Sequence, residues 1–76
     1  MEEKDEFILT KIKALIKQGA NIEIYDYSYT TNSLFEMALA AKNEGVQLKI
    51  HIRNSKFDDL QKILEGGGKY VTLVFD

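Results

Sequence analysis

The sequence predicts one small α/β domain of αβαβαβ order, with a three-stranded parallel sheet and its helices mainly on one face. Three observations carry that expectation. Amphipathic helical stretches alternate three times with short β-rich stretches along the 76 residues. Each helical stretch is followed at once by glycine, a common helix stop. Every strand stretch has one aliphatic side and one polar or aromatic side.

The first helix is expected from about Lys4 to Gln18. Ile8, Ile12, Leu15 and Ile16 fall on one face at helical spacing, with Phe7 and Leu9 flanking it. Acidic residues crowd its first turn and Lys17 lies in its last, as the helix dipole favours. Gly19 offers the left-handed conformation that closes a helix. "NIEIYDY" follows as the first strand, with Ile22 and Ile24 on one side and Glu23, Tyr25 and Tyr27 on the other.

Ser33 and Glu36 match a capping box, so the second helix is expected to open there. Leu34, Phe35, Ala38, Leu39 and Ala41 form its buried stripe and Gly45 its stop. "VQLKIHIR", Val46 to Arg53, is the second strand and alternates without a fault: Val46, Leu48, Ile50 and Ile52 against Gln47, Lys49, His51 and Arg53. Ser55 and Asp58 fit the opening of a third helix that buries Phe57, Leu60, Ile63 and Leu64, with Gly66 and its two glycine neighbours as its end. "KYVTLVF" is the third strand, with Val71, Leu73 and Phe75 opposite Tyr70, Thr72 and Val74.

Strand–helix–strand units with short links imply parallel neighbours joined by right-handed crossovers. Strand order 1-2-3 puts both connecting helices on the same face, whereas order 2-1-3 puts them on opposite faces. Strands covered on both faces read as continuous aliphatic runs. The alternation therefore prefers 1-2-3, with 2-1-3 as the alternative. Width poses a difficulty, since three strands at ~4.8 Å are narrower than three helices at ~10 Å. Either the first helix wraps round toward Tyr25, Tyr70 and Val74, or a second chain extends the sheet.

Composition narrows the function classes. The chain reads as one domain over residues 1–76, with no proline or low-complexity stretch to mark a linker. It contains no cysteine and one histidine, so no disulfide, thiolate zinc site or other metal is expected, and no cofactor. Ten basic and twelve acidic residues are well mixed, and the net charge of −2 disfavours a dedicated nucleic-acid binder. The acidic opening "MEEKDEF" is unlike a secretory signal, and no apolar run approaches the ~20 residues that span a bilayer. A cytoplasmic location and no membrane partner are expected.

"EGGGKY" resembles a phosphate loop only superficially. Ile63 stands where the first glycine belongs, Tyr70 replaces the magnesium-binding Ser or Thr, and the order runs from helix into strand. A dinucleotide fingerprint fails as well, because Val71 takes the last glycine position after Gly66 and Gly68. A Ser–His–Asp arrangement would need His51 to leave the sheet face. No residue is assigned a catalytic role, and the chain is not expected to be an enzyme.

The polar side of the sheet is left without a core to fill. The leading expectation is a non-catalytic interaction module, self-associating or docking another protein, through that face or an edge strand. Tyr25, Tyr27, Lys49, His51 and Arg53 would do the binding, being residue types common at interfaces. One alternative is a small anion or ligand at the carboxyl ends of the strands, where Asp26, Ser28, Tyr29, Arg53, Asn54, Ser55 and Asp76 gather and Arg53 could act as clamp. Asp26 and Ser55 also have plainer duties there, in bonding turn amides and capping a helix. A second alternative is single-stranded nucleic acid, with tyrosines stacking on bases while Lys49 and Arg53 meet phosphates. Glu23 and Asp76 share the same side and oppose it. The plainest role of all is cross-strand aromatic pairing that only stabilises the sheet.

Overall fold

Each helix ends because a glycine lets the chain turn over. In the computed structural model, which describes residues 2–75 and side chains from Ile8 onward, α1 spans Glu2–Lys17, α2 Thr31–Glu44 and α3 Phe57–Gly67. The side chains of Phe7 and of the acidic first turn of α1, like Asp76, lie outside what is described. After α1, Gly19 has φ +95°. Its N–H donates to the Ile16 carbonyl at 2.9 Å, and that of Ala20 to the Leu15 carbonyl at 3.1 Å. After α2, Gly45 has φ +73°, with the Val46 N–H donating to the Ala41 carbonyl at 3.1 Å. Both closures are Schellman motifs, which satisfy carbonyls that a helix end leaves free.

The third helix stops differently from the expectation. Gly66 and Gly67 belong to α3 and are buried, and only Gly68, at φ +56°, breaks the helix. A methyl group on Gly66 would sit 2.8 Å from the Phe35 ring. One on Gly67 would run into Val71 and come within 2.9 Å of the Ala38 methyl. These glycines are there to let α3 lie close to α2 and the sheet.

The helix starts also differ. Thr30, not Ser33, caps α2, and its hydroxyl oxygen accepts from the Ser33 N–H at 3.1 Å. Glu36 faces outward and accepts from Lys13 Nζ at 3.1 Å, tying α2 to α1. Ser55 does not cap α3, because Asp26 takes its hydroxyl and its amide.

The strands are β1 (Ile22–Tyr25), β2 (Leu48–Ile52) and β3 (Val71–Phe75), paired in parallel in the order β1-β2-β3. One-turn 3-10 helices at Asp26–Ser28 and Gly68–Tyr70 adjoin β1 and β3. They remove Tyr27 and Tyr70 from the strands to which the alternation assigned them. Tyr70 packs against the core instead of lying on the polar side.

The core collects Ile12 and Ile16 from α1, Leu34, Met37, Ala38 and Ala41 from α2, and Leu60 and Ile63 from α3, over Ile24, Leu48, Ile50, Ile52 and Val71 of the sheet. α2 lies between α1 and α3 and packs on both. The overall extents are 31 × 29 × 19 Å, and the short axis suits one sheet under one helix layer. α1 joins that layer and does not wrap to the other face.

The width mismatch is met by leaving helix flanks uncovered. Leu15, Leu39 and Leu64, all expected in the core, are exposed, as is Phe57 at 72%. Met37 takes a fully buried place that the expected stripe omitted. Helix positions 34, 37, 38 and 41 are buried, while Phe35 and Leu39 lie on the α3 side of α2, beside Gly66.

Candidate functional site

The uncovered face of the sheet is built in rows by the strand register. Glu23, Lys49 and Thr72 make one row, and Tyr25, His51 and Val74 the next. Glu23, Tyr25, Lys49 and Thr72 are exposed, while His51 and Val74 are half-buried. On the same strands Leu48, Ile50 and Ile52 are buried, so the alternation divides the sheet into a core side and an open side.

The open side is ordered by its own contacts. His51 Nε2 lies 2.6 Å from Glu23 Oε2, across the strands and one row along. The Tyr25 ring stacks on the His51 ring, with centroids 4.6 Å apart and planes at 20°. Tyr27 leans on Tyr25 from the 3-10 turn, at 5.6 Å and 44°. The His51 hydrogen bond, helped by the charge of Lys49, holds the Glu23 carboxyl below its usual range. At the amino end, Gln47 Nε2 donates to the Lys69 carbonyl and its Oε1 accepts from Thr72 Oγ1, each at 3.1 Å. That clasp spans β2 and β3.

At the carboxyl ends the structure builds a brace. Asp26 is 3% exposed and accepts from the N–H groups of Arg53, Asn54 and Ser55 and from Ser55 Oγ, at 2.8–3.1 Å. Burial pushes its carboxyl up, but the Ser55 hydroxyl and the three amides outweigh that and hold it below the usual range. The turn after β1 is thereby fastened to the turn after β2. Three successive amides converging on one carboxylate form an anion-binding nest whose anion is supplied by the chain itself.

Of the five residues expected to bind, Tyr25, Tyr27 and His51 form one aromatic cluster. Lys49 lies one row away on the same face, and Arg53 is exposed just beyond β2. The Asp26 brace was legible only in part. An aspartate directly after a strand signals bonds to turn amides, but nothing local indicates that the amides belong to the next loop. An open groove of about 500 Å³ runs along α1 beside Leu9, Lys13 and Glu36, on the helix layer and away from this face. No helix among the described residues is long and apolar enough to cross a membrane. No family model matches the chain, and no curated protein or solved structure is significantly similar to it.

Proposed function

We propose that this chain is a non-catalytic protein-interaction module that docks its partner on the open face of the sheet. The observation that carries this reading is the cluster of exposed Tyr25 and Tyr27 with half-buried His51, on the open side of β1 and β2 and in the turn that follows β1. Tyrosine offers a large apolar ring with a polar tip, and such rings are enriched where proteins meet. His51 is held by Glu23 and by the Tyr25 stack, so little side-chain freedom is lost on docking. A flat sheet face suits a macromolecular surface better than a small molecule, which needs concavity. Lys49 and Arg53 border the cluster and favour acidic groups on the partner.

The alternative of an anion at the carboxyl ends is less favoured, since Asp26 already occupies the backbone amides of Arg53, Asn54 and Ser55.

Capture from native extract, compared between the parent chain and a folded Lys49→Ser/His51→Ser/Arg53→Ser variant, tests the reading. The parent is expected to retain proteins that the variant loses. Equal capture by both makes the face mere scaffold. Capture that disappears on nuclease treatment, with the variant also losing single-stranded oligonucleotide, makes the partner a nucleic acid.

A further inference from the structure

The sheet has two outer edges of different character. β1 is four residues long, carries Glu23 and gives way at once to the 3-10 turn at Asp26. β3 runs five residues, "VTLVF", with no charge, proline or glycine, and among the described residues no strand pairs with its outer side. Such an edge presents a row of unpaired N–H and C=O groups, and proteins usually blunt it with charge, proline or a bulge. Phe75 is 70% exposed although it stands on the core side of the strand.

We propose that β3 pairs antiparallel with β3 of a second copy, about a two-fold axis through Leu73, joining two sheets into one of six strands. The inference extends the interaction reading to a second copy, but it uses the edge and not the open face, so the two can fail separately. Closed two-fold pairing maps core side onto core side and therefore fixes which residues can meet. Of the registers that do so, the one centred on Leu73 pairs all five residues of β3. It sets Leu73 against its own counterpart, Val71 against the partner's Phe75, and Thr72 against the partner's Val74. The helix-side row then continues across the junction and covers the phenylalanine.

Pairing of β3 with β1 of another copy would set an apolar edge against one bearing Glu23. It would also be head-to-tail, with no closure.

Light scattering of the parent chain from low to high micromolar concentration is expected to show its mass double. Thr72→Lys/Val74→Lys sets like charges directly opposite each other and is expected to abolish the doubling while leaving a folded monomer. The register has its own readout, because the chain contains no cysteine. Directly opposed residues lie ~4.5–5.5 Å apart, within disulfide reach, whereas a diagonal pair at ~7–8 Å is too far. A mixture of Thr72→Cys and Val74→Cys chains is thus expected to form a mixed disulfide dimer on mild oxidation, and neither chain alone to do so. A parent that stays monomeric overturns the edge pairing, while capture on the open face is judged by its own experiment. A dimer that survives the double lysine change, or that gives no preferred mixed disulfide, overturns it too.

Discussion

Replacing Asp26 with asparagine keeps the side chain's shape and removes its charge and one acceptor oxygen. In the native brace Oδ2 takes the Asn54 and Ser55 amides and Ser55 Oγ, while the Arg53 amide is shared between both oxygens. An asparagine oxygen can replace Oδ2, but its NH2 group then faces the Arg53 N–H, donor against donor. Hydrogen bonds to a charged group are worth ~1.5–3 kcal/mol each, against ~0.5–1.5 for neutral ones. Part of that loss is offset because a charge no longer has to be buried. The net expectation for Asp26→Asn is about 2 kcal/mol of destabilisation, and for Asp26→Ala about 3–4 kcal/mol, since alanine leaves all the donors without an acceptor. At ~0.05–0.15 kcal/mol per residue a domain of this size has about 4–11 kcal/mol in total, so either change is large.

Urea melts of parent and Asp26→Asn across pH 2–7 read both the magnitude and its cause. The folded carboxyl titrates below its ordinary value, so the unfolded state binds more protons in acid. Its contribution is fully present above the unfolded value near ~3.9 and disappears as pH falls through the folded value. The parent should therefore lose stability over that window, and the variant should start lower and lose less. Glu23 remains in both proteins and cancels in the difference. A variant within ~0.5 kcal/mol of the parent at pH 7, with the same acid limb, would refute the brace as a stabilising element.

Four further outcomes are expected. Gly19→Ala and Gly45→Ala should each cost about 1 kcal/mol, from backbone conformation alone, because nothing lies within 4 Å of either added methyl. Gly67→Ala should cost about 1–3 kcal/mol through its clash with Val71 and Ala38, whereas Gly66→Ala should be milder, because the Phe35 ring can give way; equal melts for the two would refute the close-packing account. The Lys49→Ser/His51→Ser/Arg53→Ser variant should remain folded, losing about 1 kcal/mol with the Tyr25–His51 stack. Leu48→Ser or Ile50→Ser should unfold the domain, both side chains being fully buried, and a cooperative melt near that of the parent would contradict the assignment of the core side.

The sequence by itself determined the alternation of helices and strands, their parallel pairing and the side of the sheet that becomes core, while it only preferred the order β1-β2-β3 over 2-1-3. Those features are local or periodic: Gly19 and Gly45 need only their own φ, and Leu48, Ile50 and Ile52 need only the two-residue repeat of a strand. The open face with Tyr25, Lys49 and His51 follows from the same repeat. Only the tertiary structure decided matters that depend on what lies across from a residue. Ser55 matches a cap in sequence, but Asp26, from a loop 29 residues away, claims it. Gly66 and Gly67 look like a flexible stop, yet the approach of α2 and β3 makes them spacers inside a helix. Phe57 and Leu15 carry the right helical spacing and are still exposed, because three helices are wider than three strands and the outer flanks have no sheet beneath them. Periodicity fixes which way a side chain points, and long-range geometry fixes whether anything is there to meet it.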